Sequence, residues 1–361
     1  MAADNREKTT PHPRREPRYD GPLTPQRLEK IFQDCVDFTR RPVALEGESA
    51  CTLTLCYLGG MVRMERVSDY VLRPLAQDQG LRQCRTAAEA MKRMESGALY
   101  NLGVARRTQL DRGVFDLVEG WCLLFFPGES EALSFFVGTE EKRSISAPAN
   151  ETVLKGARDS FVESVRTNTS IVRRHLKAPE LRIREERVGR QSATLVDVLY
   201  LEGLTNPQLA EELLEQLRDI DIDGVFATGN IEEYIVPAQR TPFPLVQYTE
   251  RSDRFCAGLT QGRVGLLIDG IPLGYLTPAV LGNFLQTPQD KSSGWLLATT
   301  LTLLRYLCML LTLFLPALYV AMVTFHQEMI PTRLALSIIA AKENVPFRSG
   351  FEVIVLLLAF E

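Results

Sequence analysis

Histidine is scarce in this chain, with three in 361 residues, at His12, His175 and His326. No two of them have the spacing of a metal site, so zinc chemistry is not expected. The seven cysteines, Cys35, Cys51, Cys56, Cys84, Cys122, Cys256 and Cys308, are odd in number and scattered among apolar neighbours, with no CxxC pair. They read as reduced core residues in a reducing compartment, not as a disulfide frame. The G-x-S-x-G, G-x-x-x-x-G-K and G-x-G-x-x-G strings are all missing, which removes the common hydrolase, NTPase and dinucleotide signatures. No catalytic, cofactor-binding or metal residue is therefore assigned, and no enzyme is expected. A net charge of -4 and a pI near 5.7 supply no basic field, so nucleic acid is not an expected partner. The first forty residues are polar and proline-rich, without the apolar stretch of a signal peptide, and the expectation is that the N-terminus stays in the cytoplasm.

Against that background one stretch stands out. Tyr306 to Phe325, YLCMLLTLFLPALYVAMVTF, carries no charge over about twenty residues, the length that crosses a hydrocarbon core as a helix. Arg305 closes it on one side, and His326, Glu328 and Arg333 on the other, as expected where charge is kept to the interfaces. Pro316 does not argue against a span, because membrane helices tolerate proline.

The region before this run contains a degenerate internal repeat. ACTLTLCYLGGMVRMERVSDYVLRPL, from Ala50, and SATLVDVLYLEGLTNPQLAEELLEQL, from Ser192, are both a β-rich run ending in Tyr-Leu-x-Gly, a polar break and a helical pattern. In the second copy Asn206 is a candidate N-cap, with Pro207 at the first helical position. Each copy is followed by apolar runs meeting at an acid-glycine pair, Glu119 and Gly120 or Asp269 and Gly270, which predicts a hairpin in each. The expected fold class is α/β, with two similar cytoplasmic subdomains followed by a helical membrane region. The boundaries drawn are a disordered polar tail over 1–40, a first subdomain over 41–150, a connector over 151–190, a second subdomain over 191–293 and a membrane region over 294–361.

The connector carries Leu154, Phe161, Val165, Val172 and Leu176 at helical spacing, with Arg158, Arg166, Arg173, Arg174 and Lys177 around the rest. It is expected to be a solvated amphipathic bridge, with a subunit-contact or anionic-lipid surface as the alternative. DIDIDG, with Asp219, Asp221 and Asp223, reads as a helix end entering a strand and not as a cation site. Two polar clusters are candidate functional sites. Glu250, Arg251 and Asp253 in QYTERSDRF are candidate coupling contacts, and His326 and Glu328 in HQEMIPT are candidate membrane-boundary residues.

At these same clusters the chain resembles a known family. ETVLKGARDSFVESVRTNTSIVRRHLK, IDIDGVFATGNIEEYI, QYTERSDR, GRVGLLIDGIPL and HQEMIPTRLALSIIAAKENVPF are similar, in this order, to hallmark segments of the A subunit of GerA-type spore germination receptors. The resemblance runs from about Leu45 to the last residue. It implies a protein of the inner spore membrane with a cytoplasmic N-terminal region. It further implies a transporter-like B subunit and a lipoprotein C subunit as partners, and self-association into an oligomeric ion channel. Ala157, Ser252 and Arg348 stand where the family usually has proline. Leu336 to Ala341 and Val353 to Phe360 are too short to span, so the membrane region is expected to be truncated relative to the family. The alternatives are a membrane-tethered small-molecule binding module or enzyme using clefts of the α/β subdomains, and a sporulation-stage transport paralogue.

Overall fold

Strand alternation and helix capping together explain the architecture. The computed structural model describes residues 18–45, 51–84, 86–98, 103–138, 159–225, 234, 244–285, 294–342 and 349–360. These fall into two units, one reaching to Val280 and one beginning at Leu281, apart from Val153–Lys155, which lie outside the described residues.

In the first unit, β1 (Phe38–Leu45), β2 (Cys51–Leu58), β3 (Val104–Arg107), β4 (Trp121–Phe125) and β5 (Ala132–Phe136) form an antiparallel sheet in the order β1-β2-β4-β5-β3. A second sheet, β6 (Leu181–Val188), β7 (Thr194–Leu201), β8 (Gln247–Thr249), β9 (Val264–Ile268) and β10 (Gly274–Thr277), has the order β6-β7-β9-β10-β8. The two orders coincide strand for strand. The Tyr-Leu-x-Gly strings close β2 and β7, which occupy equivalent places, as the repeat requires.

Each sheet is covered on both faces. The period of two sends Leu53, Leu55 and Tyr57 of β2 toward Val67, Val71, Leu75 and Met91 of the helical segments after it. It sends Cys56 and Leu58 the other way, toward Leu28 and Phe32 on or beside α1 (Pro25–Ile31) and Leu110, Val114 and Leu117 of α2 (Leu110–Val118). In the second half, α3 (Val165–His175) covers one face of the sheet and α4 (Pro207–Asp219) the other. Leu213, Leu214 and Leu217 of α4 pack on Val196 and Val198, and Asn206 caps that helix by accepting from the Gln208 amide. α5 (Ser252–Leu259) joins α3 on its face through Phe255 and Leu259.

Three local expectations change. Residues 18–40 are not tail: Thr24 caps α1, Pro25 opens it, and β1 begins at Phe38. Leu181–Val188, read as connector, is the first strand of the second sheet. Val114 to Val118 belong to α2 and not to a hairpin arm, and Glu119 and Gly120 are its end. Gly120 has φ +90°, and a Cβ there would lie 2.8 Å from the Met61 carbonyl; Gly262, after α5, has φ +83° and would lie 3.0 Å from the Leu204 carbonyl. Only glycine meets both demands. The first hairpin is β4 and β5, turning at Gly128, while Asp269 and Gly270 do join β9 to β10.

The second unit contains α6 (Trp295–Phe325), α7 (Thr332–Lys342) and α8 (Ser349–Phe360). α6 is 31 residues long with a mean hydropathy of 2.2 over its most apolar window, so it is long and apolar enough to cross a membrane. It starts eleven residues before the expected span, at Trp295, with Arg305 inside it. Arg305 Nη1 donates to the Leu285 carbonyl at 3.1 Å. Thr299, Thr300 and Thr312 return their hydroxyls to carbonyls four residues back, at 2.8, 2.9 and 2.8 Å, which removes unmet donors from the helix surface. Leu313 is well exposed on α6. Leu313→Arg tests whether this helix inserts: a spanning helix is expected to lose about 2.5–3.5 kcal/mol of insertion free energy, read as a rise in the non-membrane fraction of the expressed chain.

Candidate ligand cleft

The two halves of the first unit meet along the N-terminal end of β1 and the outer side of α3. Cys35 forms a parallel bridge to Ile183, and the Val36 amide donates to the Ile183 carbonyl at 2.9 Å. Behind this seam lies a buried ion pair. Arg173, fully buried on α3, donates from Nε to Asp37 Oδ2 at 2.9 Å and from Nη2 to Asp37 Oδ1 at 3.0 Å. Burial alone would make the guanidinium easier to deprotonate, but Asp37 overrides it and pushes its pKa up. Arg182 adds a bond to the Ile31 carbonyl and an ion pair with Glu202, and Arg18 reaches Glu180. The basic helix is thus no solvated bridge; it presents Arg173 to the first half, while Arg166 pairs within the second.

Beside the pair opens a cavity of about 380 Å³, within the usual range for small ligands. Asp37, Thr39, Gly59 and Gly60 line one side; Arg166, Thr167, Thr169 and Ser170 line the other. Gly60 allows the close approach, since a Cβ there would lie 2.7 Å from Ser170 Oγ. Two glycines, four hydroxyls, one cation and the Asp37 carboxylate suit a small polar molecule that bridges both halves. Arg166 is held by Glu185 on β6. Directly behind Thr169 lies Asp197 of β7, fully buried, whose carboxyl burial pushes up to about 6.

The predicted coupling residues lie at the start of α5. Arg251, 2% exposed, makes a fork with Asp253 at 3.0 and 2.6 Å, and the fork outweighs desolvation in holding the Asp253 carboxyl below its usual range. The Glu250 carbonyl accepts from the Phe161 amide at 2.8 Å, and Arg251 bridges to Ser160. This cluster therefore ties the segment entering α3 to α5. Ser252, where the resemblance expects proline, holds the first position of α5, which suits proline too, and its hydroxyl donates to the Asp159 carbonyl at 3.2 Å. Ser252 Oγ also lies 3.1 Å from His175 Nε2, which is 3.3 Å from Asp159 Oδ2. Both contacts fall on one ring nitrogen, so the trio lacks the relay geometry of a hydrolytic triad.

His326 ends α6, its amide donating to the Met322 carbonyl at 3.3 Å, and Glu328 sits in the single turn Gln327–Met329; both are exposed. They mark where the chain turns after the long helix. Burial pushes the Cys56, Cys122 and Cys256 thiols up to about 12, as for packing residues and not nucleophiles. Among the described residues no group of His, Cys, Asp and Glu is arranged to hold a metal. Ala157, Arg348 and most of the IDIDGVFATGNIEEYI segment lie outside the described residues. Sequence reasoning missed the cleft because Asp37 and Arg173 belong to different halves.

Comparison with known proteins gives a consistent picture. A family model described as Bacillus/Clostridium GerA spore germination protein matches residues 26–361. The uncharacterized membrane protein YfkQ of Bacillus subtilis (strain 168) is 30% identical over 96% of this chain and 67% of its own length. Spore germination protein KA of the same organism is 32% identical over 90% of this chain and 59% of its length, and spore germination protein B1 is 30% identical over 87% and 64%. The chain thus spans about three fifths to two thirds of these relatives. Among solved structures, the crystal structure of the N-terminal domain of the A subunit of the Bacillus megaterium spore germinant receptor GerK3 aligns with a TM-score of 0.56 and 25% identity, over 73% of this chain and 99% of that one.

Proposed function

The chain belongs to the GerA family of spore germination proteins, and from that premise we propose that it acts as the A subunit of a germinant receptor, in which a small polar ligand seated in the cleft biases the membrane helices. The observation that carries this reading is the pairing of a two-sheet unit, matched to the GerK3 A-subunit domain, with a 31-residue apolar helix in one chain. A ligand touching both walls of the cleft binds the closed arrangement of the two halves better than the open one. Only such a difference in affinity can shift a conformational equilibrium.

In this reading the N-terminal region faces the cytoplasm, the helices lie in the inner spore membrane, and the subunit works with a transporter-like B subunit and a lipoprotein C subunit. Several copies contribute helices to an ion path, since closing a pore takes more than one span. Glu250, Arg251 and Asp253 transmit the state of α3 through α5, and His326 and Glu328 sit at the membrane boundary. A second reading, a family member with a membrane role outside germinant response, is supported by the similarity to YfkQ, whose name states membrane location alone.

Filling the cleft tests the first reading. Gly60→Val places branched carbon against Ser170, and spores carrying it at normal abundance are expected to release ions in response to germinant at least about tenfold more slowly, equivalent to a loss of about 1.4 kcal/mol. A response equal to that of unaltered spores would overturn the cleft assignment.

A further inference from the structure

Asp197 has no place in the function argued so far, yet it is an acid set in an apolar layer. Its neighbours along β7 on the same face are Leu195 and Leu199; the residues opposite it are Glu185 on β6 and Leu267 on β9, and α5 adds Phe255 and Leu259 to the layer. The residue is fully buried, and among the described residues its Oδ1 has no hydrogen-bond partner. Its Oδ2 lies 2.8 Å from Thr169 Oγ1, which is also 2.9 Å from the Val165 carbonyl.

Those two distances pose a proton-counting problem. One hydroxyl carries one proton and here faces two acceptors if the acid is ionised. A single added proton resolves it: Asp197 Oδ2–H donates to Thr169 Oγ1, and Thr169 donates to the Val165 carbonyl. Every atom of that chain is then satisfied. Ionisation forces Thr169 to turn toward Asp197 and leaves Oδ1 a buried charge without a donor, which is costly. The charges that bear on the acid are opposed, and burial is the largest influence on it. Arg166 of α3 attracts it but is engaged by Glu185, while Glu185 itself and Asp37 of the first half repel it.

We propose that Asp197 is a protonation-sensitive positioning residue for the cleft: in its acid form it knits β7 to α3 through Thr169, and loss of that proton loosens the wall formed by Arg166, Thr169 and Ser170. The burial that holds this carboxyl near 6 gives the sign. The acid keeps its proton in the packed state and sheds it when α3 lifts, so packing is strongest at low pH. It weakens as pH rises from the ordinary carboxylate value through about 6, and changes no further above that. The consequence for ligand rests on the cleft reading, whereas the titration itself does not.

Both halves of the claim can be read without ligand, on the full chain in detergent micelles. Infrared difference spectra from pH 4 to 8 are expected to show a buried protonated carboxyl that disappears with a midpoint near 6 and is missing in Asp197→Asn. Amide exchange in α3, corrected for intrinsic rates, is expected to show an opening constant rising by up to about tenfold per pH unit between roughly pH 4 and 6, then levelling. In Asp197→Asn it stays flat. Thr169→Val removes the hydroxyl that donates to the ionised carboxylate and is expected to move the midpoint upward, while Thr169→Ser restores it. That pair keeps the claim testable if the asparagine variant does not fold. A carboxyl signal unchanged by Asp197→Asn, or a midpoint indifferent to Thr169→Val, overturns the proposal. An unaltered germinant response in Gly60→Val spores would instead remove the cleft reading and leave the titration standing.

Discussion

Arg173→Met is expected to destabilise the first unit by about 3–5 kcal/mol, because it strands the Asp37 carboxylate in a buried seam with its partner gone. Arg173 has no exposed surface, and Asp37 retains only 8%. The remaining groups near Asp37 cannot replace a two-pronged guanidinium. Its neighbour Arg182 is already directed to the Ile31 carbonyl and to Glu202. Denaturant unfolding of the full chain, followed through Trp121 in the first sheet, measures the loss. The double variant Asp37→Leu with Arg173→Met removes both charges and is expected to recover most of it, since a buried pair and a packed apolar replacement are often close in stability. If the single variant costs no more than a surface substitution, the seam is not held in this way.

Phe255→Ala should produce a loss of similar size, about 3–5 kcal/mol, through a different mechanism. Phe255 is fully buried and meets Phe161 edge-on, with ring centroids 5.3 Å apart. The sheet has been cleared for it. A Cβ on Gly265 would lie 2.3 Å from Phe255 Cζ, and one on Gly274 would lie 2.6 Å from its Cδ2. Two glycines on adjacent strands thus form the socket, and alanine at 255 leaves that socket empty. Amide exchange localised to α5 should rise together with the fall in global stability. Phe255→Leu combined with Gly265→Ala returns volume to the socket and is expected to recover part of the loss. An unchanged exchange pattern in Phe255→Ala would show that α5 is held by its Arg251 and Asp253 end alone.

Much of this fold is written locally. Tyr-Leu-x-Gly after a β-branched run, and Asn206 before Pro207, fix the second strand and the following helix of the second half, because capping and alternation act within a few residues. Where the signal is ambiguous the reading fails for identifiable reasons. Val114, Leu117 and Val118 run almost directly into Trp121 to Phe125, and short apolar runs do not distinguish helix from strand by period. Leu181–Val188 carries five charged side chains, Arg182, Arg184, Glu185, Glu186 and Arg187, so it reads as a linker; it forms an edge strand whose charges pair with the helix over it, Arg184 with Glu211 and Glu186 with Arg218 of α4. Thr24 followed by Pro25 was a usable helix start inside a stretch read as tail. Arg305 looked like the end of the apolar helix only because a carbonyl from residue 285 was not foreseeable.

The cleft was the least legible part. Asp37 and Arg173 are 136 residues apart, and nothing near either one announces the other. The acid in VDVLYL was the one local clue, since a carboxylate in the middle of an apolar strand must be explained by what it faces.

The identical strand order of the two sheets bears on how the chain is made. Every strand of the first sheet lies between residues 38 and 136, so it can close before α3 has left the ribosome. Until Arg173 and Ile183 follow, Asp37 and the backbone at Cys35 and Val36 wait in water. The seam is therefore a late-forming latch: its contacts join segments far apart in sequence, and the cost of closing that loop falls only after both halves exist. Any synthesis stalled between the two halves would leave a folded first sheet with the Asp37 carboxylate and the backbone at Cys35 and Val36 still in water.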